Sequence, residues 1–350
     1  MKLLIITQVL DTEHPILGFF HRWVAEFSTQ VDSIEVIALQ VGKYDLLTNV
    51  HVHSLGKESG ENRLKYLWRF YKNIWQLRHS YDGVFVHMNQ QYVLLGYPVW
   101  KLFGKRIGLW YAHGAVSTSL ALAVSLADTV FTSTPEGLAI DTPKRVIMGQ
   151  GIDYQYFAPS PSVRSTRELL ELVTVGRISA SKNIGILLAA CVLLKEAQIS
   201  FHFSIIGGPL TPEDNQYQAT LQRCCVDNNL VDQVTWVGGV TQRDLPSYLH
   251  QGDIFIHDGS TKSLDKVLLE AVAAGCVVVS SNEAYRAFTE SWAPVNLFIP
   301  KDSRALARRI EELAGESDQA RIATMQQIQL AVQSDHSIQG LISGIVQRYV

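Results

Sequence analysis

The sequence predicts an α/β protein made of two doubly wound parallel sheets, and three observations point there. Short β-branched, apolar runs alternate with helix-spaced segments along the chain, the pattern of parallel strands joined by helical crossovers. A polar, proline-containing stretch at 160–166 interrupts that alternation and reads as a linker. The length, 350 residues, also exceeds one ordinary hydrophobic core. These divide the chain into a first domain at 1–159, a linker at 160–170, a second domain at 171–335 and a terminal helix at 336–350.

In the first domain the strands fall at 2–7, 34–39, 50–55, 83–87, 106–111, 129–133 and 145–148, with helices at 19–28 and 93–103. The segment 62–81 is a third helix, with Leu64, Leu67, Trp68, Tyr71, Ile74 and Trp75 on one stripe and Arg63, Lys65, Arg69 and Lys72 towards the other side. Such a stripe packs on a core and leaves a solvated basic face. The alternative is a helix that also touches an anionic membrane or a lipid-linked acceptor through its basic and aromatic side chains. His51 and His53 share one strand face, which alternation explains without a metal, since no third ligand stands near. His113 follows a strand at its carboxyl end, the side on which doubly wound sheets bind ligands. Gly18, just before a helix, could let backbone approach a phosphate.

The second domain has strands at 171–175, 201–206, 234–237, 253–257, 276–280 and 296–299. The segment 176–190 reads as strand, turn and helix, and further helices lie at 212–228, 243–249, 264–274, 302–314, 317–334 and 337–349. The run 253–282 organises the rest. A buried strand leads through a polar loop to a helix whose first N–H groups face an anion site, and Gly275 then caps that helix with a positive φ. Glu270 lies on this otherwise apolar helix, either as a surface carboxylate or as an acceptor for sugar hydroxyls. Arg177 and Lys182 flank a second turn, where a planar fork and a point charge suit a diphosphate.

Composition narrows the partners. The chain is 47% apolar and 18% charged, ordinary for a globular protein, and its formal net charge of −3 argues against nucleic acid. Lys and Arg number 14 against 13 acids in residues 1–155, and 16 against 20 in residues 156–350. None of the four cysteines forms a CxxC pair, so reduced structural thiols in the cytoplasm are expected. No signal-peptide pattern opens the sequence and no run approaches the ~20 apolar residues of a membrane span, so a membrane role would be peripheral, at the inner face. The absence of GxGxxG counts against a dinucleotide-dependent oxidoreductase.

Two strings carry a family resemblance. Val-Gly-Arg-Ile-Ser-x-x-Lys-Asn at 175–183 and Leu-Leu-Glu-Ala-Val-Ala-Ala-Gly at 268–275 resemble the donor-site signatures of retaining GT-B glycosyltransferases of family 4. The segment 149–159 resembles that family's interdomain segment, with Gln150 in place of the usual Asn. The resemblance implies two Rossmann-like domains facing across a cleft, with the terminal helix crossing back onto the first. It implies that Arg177 and Lys182 neutralise a leaving diphosphate, that Glu270 holds a ribose, and that His113 stands near the transferred sugar. Gly18 would lie near the donor phosphates, and Leu264, Asp265, Lys266 and Val267 would form the helix start beneath them. Val240 would sit by the nucleobase, and Gly208 is taken as a further substrate-binding position. Two departures stand out: Lys262 replaces the family's first Glu, and the turn 263–266 lacks the usual glycines.

The implied activity is transfer of a sugar from a nucleotide-diphosphate sugar to a hydroxyl of a glycan or lipid-linked acceptor, with retention at the anomeric carbon. No carboxylate in the first domain stands out as a nucleophile, so front-face attack without a covalent intermediate is expected. With no Asp-x-Asp to supply paired oxygen ligands, neither a metal nor another cofactor is expected. A nucleotide-sugar-binding subunit without turnover, motivated by Lys262, and an epimerase on the same fold are the rival readings.

Overall fold

The computed structural model describes residues 1–159, 169–259, 263–289, 296–316 and 318–350. Most of the 160–170 linker and Lys262 lie outside the described residues. The chain divides into two compact units, Met1–Asp153 with Thr241–Arg243 and Asp335–Val350, and Tyr154–Val240 with Asp244–Ser334.

The first unit holds seven parallel strands: β1 (Lys2–Leu10), β2 (Ser33–Val41), β3 (Val50–Ser54), β4 (Gly83–His87), β5 (Arg106–Trp110), β6 (Thr129–Thr132) and β7 (Arg145–Ile147). Their order is β3-β2-β1-β4-β5-β6-β7, with Ile5 in register with Val36 on one side and Phe85 on the other. Side chains alternate along each strand, so β1 sends Leu4 and Ile6 to one core and Leu3 and Ile5 to another. The helices are α1 (Phe19–Gln30), α2 (Arg63–Gln76), α3 (Gln90–Leu102) and α4 (Thr118–Leu126). The segment forming α4, TSLALAVSL, is apolar nearly all round and carries no helical period, so pattern reading passes over it; Ser117 caps it by accepting the N–H of Leu120 at 3.1 Å. The terminal helix, Ile338–Gln347, buries Ile338, Leu341, Ile342 and Ile345 in the core that holds Phe20, Trp23, Val24 and Phe27 of α1. Tyr349 then donates its hydroxyl to the Val84 carbonyl at 2.7 Å. Two strand glycines make room for it: a methyl on Gly108 would lie 2.2 Å from the Tyr349 oxygen, and one on Gly83 would lie 2.4 Å from its ring.

The core-facing reading of the 62–81 stripe is corrected. Phe70 and Ile74 are the buried residues of α2, whereas Leu64, Leu67, Trp68, Tyr71 and Trp75 are exposed. Phe70 packs its ring against Tyr92 at 5.3 Å and Trp100 at 6.2 Å, and these contacts set the rotation of the helix. On β3, His53 meets Glu35 of the neighbouring strand at 2.7 Å, so this histidine has a hydrogen-bond partner.

The second unit is a parallel sheet of β8 (Leu170–Val175), β9 (Phe201–Ile206), β10 (Val234–Gly238), β11 (Ile254–His257) and β12 (Val277–Ser280), ordered β10-β9-β8-β11-β12. Around it lie α5 (Tyr154–Phe157), α6 (Ile184–Glu196), α7 (Pro212–Asp227), α8 (Leu245–Leu249), α9 (Lys266–Ala273), α10 (Glu283–Thr289), α11 (Ser303–Gly315) and α12 (Asp318–Asp335). The strand expected at 296–299 is a single bridge between Leu297 and Ser280. Strand order reverses between β8 and β11, and that crevice is where such sheets take ligands.

Candidate functional site in the second unit

The turns after β8 and β11 flank the reversal point. Gly176 follows β8, Gly207 follows β9 and Gly238 ends β10, and their backbones run close together: the Gly176 N–H donates to Ile206 O at 2.9 Å, and the Gly207 N–H donates to Gly238 O at 2.8 Å. Gly207 has φ +132°, and a methyl there would lie 1.9 Å from the Gly176 carbonyl, so glycine is required. By contrast, among the described residues nothing lies within 4 Å of a methyl built on Gly238 or Gly239. Gly208 accepts the Ile178 N–H at 3.1 Å, which ties the β9 turn to the β8 turn. Val240 is half-buried beyond β10, two strands from the reversal.

Arg177 and Lys182 leave the β8 turn towards opposite neighbours. The Arg177 Nε meets Asp214 Oδ2 at 2.8 Å, at the start of α7 behind β9. Asp214 is buried and also closes a capping box with Thr211, accepting the Leu210 and Thr211 N–H groups at 3.1 and 3.2 Å. Burial works to raise the Asp214 pKa, but these backbone bonds and Arg177 outweigh it and lower the value below that of an ordinary aspartate. The Lys182 Nζ instead donates to Asp265 Oδ2 at 2.8 Å, beyond β11. Asp265 immediately precedes α9 and also meets His257 Nε2 at 2.9 Å.

His257, at the carboxyl end of β11, is buried with Nδ1 3.1 Å from Ser280 Oγ. An ionised Asp265 can only accept, so His257 donates from Nε2, and Ser280 can donate its hydroxyl to Nδ1. Burial pushes the Asp265 pKa up, yet the hydrogen bond from His257 and the charge of Lys182 hold it well below the usual carboxylate range. Gly259 lies over this pair, where a methyl would come within 2.3 Å of the imidazole. Both predicted phosphate-binding cations are therefore matched by carboxylates, Asp214 and Asp265.

Glu270 is 3% exposed, so the surface-carboxylate alternative is corrected. It sits five residues beyond Asp265, about 8 Å along the helix axis. Leu264 is buried, Lys266 and Val267 are half-buried at the helix start, and Gly275 ends the turn with φ +89°. The structure thus joins Lys182, Asp265 and His257 directly, holds Arg177 on the other side of β8, and buries Glu270 on α9. Asp214 and His257 escaped sequence reasoning. The signals existed: Thr211-Pro-Glu-Asp214 spells a capping box, and His257 ends a strand as His113 does.

The first unit carries the other two predicted residues. His113 is exposed in the loop after β5, its backbone N–H donating to Gly137 O at 3.0 Å. The Gly18 N–H donates to His14 O at 3.0 Å, and a methyl there would lie 2.7 Å from that same oxygen. Loop packing therefore accounts for this glycine.

A chain carrying two Rossmann-like parallel sheets of this kind has the GT-B fold. The crystal structure described as Anabaena Alr3699/HepE in complex with UDP and glucose matches 99% of both chains with a TM-score of 0.78 at 17% identity, a likeness of fold. Residues 170–316 match the family described as Glycosyl transferases group 1. WcaL of Escherichia coli K12, named for colanic acid biosynthesis as a glycosyltransferase, is 28% identical over 179 residues, 48% of this chain and 41% of its own. The amylovoran biosynthesis glycosyltransferase AmsK of Erwinia amylovora is 33% identical over 122 residues, 33% of this chain and 28% of its own. The chain thus spans less than half the length of these curated relatives.

Proposed function

We propose that the protein is a glycosyltransferase that moves a sugar from a nucleotide-diphosphate sugar to an acceptor hydroxyl with retention of configuration. The observation that carries this is the placement of Arg177 and Lys182 on either side of β8 where strand order reverses, with the start of α9 beyond Lys182. In this reading the diphosphate binds across that turn and exchanges with Asp214 and Asp265 for the two cations. Charge growing on the leaving diphosphate is then met by donors already in position. The N–H groups at Leu264–Val267 add to it, and the buried Glu270 accepts from the ribose. Gly208 and Val240 border the nucleotide, while Gly18 and His113 keep their assigned places by the phosphates and the transferred sugar on the strength of the family resemblance alone.

The acceptor is a glycan or lipid-linked glycan, a class that accords with the named roles of WcaL and AmsK. We place the reaction in the cytoplasm, at the inner face of the membrane; Cys191, Cys224, Cys225 and Cys276 are all free thiols, as a reducing compartment would keep them. No helix among the described residues is long and apolar enough to cross a membrane. Attack from the donor's front face without a covalent intermediate accords with a first-domain sequence in which no carboxylate stands out as a nucleophile, and independence of a metal accords with cations taking the role a divalent ion would otherwise fill.

Purified protein screened against UDP-, GDP- and ADP-sugars by thermal shift identifies the donor, because a ligand raises the melting point through its binding to the native state. Transfer or slow hydrolysis of that donor, lost in Lys182→Ala, supports the reading. A second reading, a nucleotide-sugar-binding subunit without turnover, is favoured by Lys262 and by the carboxylate of Asp265 standing at the head of α9. Donor binding with neither transfer nor hydrolysis would establish that second reading.

A further inference from the structure

We propose that the outer face of α2, extended by the end of α3, docks the protein on a bilayer rich in anionic phospholipid. Leu64, Trp68, Tyr71 and Trp75 recur at successive turns of α2 and face away from the sheet, with Leu64 78% and Trp68 62% exposed. Leu102, 71% exposed at the end of α3, and Phe103, whose ring meets Trp75 edge-on at 5.6 Å, widen this row to a second helix. The Tyr71 hydroxyl donates to Leu95 O at 3.0 Å and binds the two helices together. Single exposed leucines are ordinary on protein surfaces; a contiguous row of large apolar side chains is not.

The charge around this row selects the occupant. Residues 61–106 carry eight Lys and Arg against two acids, Glu61 and Asp82, in a chain whose formal net charge is −3, and Glu61 pairs with Lys65 at 2.6 Å and with Arg69 at 3.1 Å. The Asp82 carboxylate is engaged by the Lys2 N–H at 2.8 Å. Two cations lie on the aromatic rings themselves: Lys72 Nζ is 5.1 Å from the Trp68 ring, and Arg78 Cζ is 4.9 Å from Trp75 and 5.7 Å from Phe103. Tryptophan beside a flexible cation is the chemistry of a headgroup layer, with the ring at the interface and the charge reaching phosphate. A second copy of the same face would set cation against cation, which disfavours self-association here. The surface lies in the first unit and stands independently of which sugar, if any, the second unit transfers.

Sedimentation of the full chain with vesicles tests this without donor or acceptor. The protein should pellet with phosphatidylglycerol-containing vesicles and remain in solution with phosphatidylcholine alone. Lys72→Gln with Arg78→Gln should lower the partition about fivefold per cation lost. Trp68→Ser with Trp75→Ser should lower it about tenfold or more, because buried apolar area also drives interfacial binding. All of these side chains lie outside the core, so an unchanged melting temperature shows that the variants remain folded. Equal pelleting of parent and variants, or no preference for anionic vesicles, overturns the proposal. So does concentration-dependent dimerisation that the same substitutions abolish while vesicles go unbound.

Discussion

Helices α2 and α9 carry the same kind of apolar periodicity and meet opposite fates. On α9 every residue from Leu268 to Ala273 is buried, Glu270 among them. On α2 only Phe70 and Ile74 are buried, and the row containing two tryptophans faces outward. Helical spacing therefore specifies which residues share a face. It does not specify whether that face meets the sheet, because two or three well-packed anchors outweigh a longer row that has no partner. α9 is covered because β11, β12 and α5 pack against it and Gln329 of α12 donates to the Val272 carbonyl at 2.9 Å. α2 lies on the outside of its sheet, where a single row is enough to hold it.

The sharpest way to break this comparison is a pair of truncations on α2. Phe70→Ala should cost about 3–5 kcal/mol, the usual cost of emptying a buried aromatic site. Trp68→Ala should stay within about 0.5 kcal/mol, as for a surface position. Urea unfolding of both variants decides it, and a large loss at Trp68 would return the stripe to the core.

On the α9 side, Lys182→Ala should lower kcat about a hundredfold or more, the range seen when one preorganised charge-stabilising donor is removed. Its melting point should fall only modestly, because His257 still bonds Asp265. A stability loss without a kinetic one would make Lys182 a structural partner of Asp265.

The two units should also separate on acidification. His336, in the first unit, has its pKa pushed down to about 4 by burial, against the opposing charge of Asp335. Its Nδ1 accepts the Gln150 N–H at 3.1 Å. The unfolded chain takes a proton near pH 6.5 that the folded unit refuses, so stability is complete above that pH and falls as pH drops towards 4, by about 3 kcal/mol. Asp265, in the second unit, is also shifted down, but from a lower starting value: its stabilisation holds above the unfolded carboxylate pKa and fades only as pH falls below about 4. Thermal melts between pH 7 and about 4.5 should therefore weaken the first unit first, and His336→Asn, which keeps an acceptor, should flatten the loss.

The smallest expected effect concerns Asp265 itself. Asp265→Asn should tighten donor binding about tenfold by freeing Lys182 and removing a charge that repels a diphosphate. Weaker binding, read by titration calorimetry, would show that Asp265 orients Lys182 rather than competing for it.

Much of this molecule was legible before folding. Parallel strands buried on both faces announce themselves as β-branched runs, and Gly275 marks the end of α9 because few other residues tolerate φ +89°. The family resemblance of the string 175–183, and the apolar helix around Glu270, pointed to the β8 and β11 turns without any coordinates. The bridge at Leu297 in place of a strand, and the unforeseen α4, show where pattern reading stops: one apolar run too short to pair, another without a period.

By itself the amino-acid order determined the succession of elements, the glycine turns and the residue types gathered at two strand ends, because these follow from backbone geometry over a few residues. Only the tertiary structure decided that Arg177 turns to Asp214, that Lys182 turns to Asp265, and that the tryptophans of α2 look outward. Each of those outcomes joins groups far apart in the chain, and no local pattern encodes which distant partner arrives.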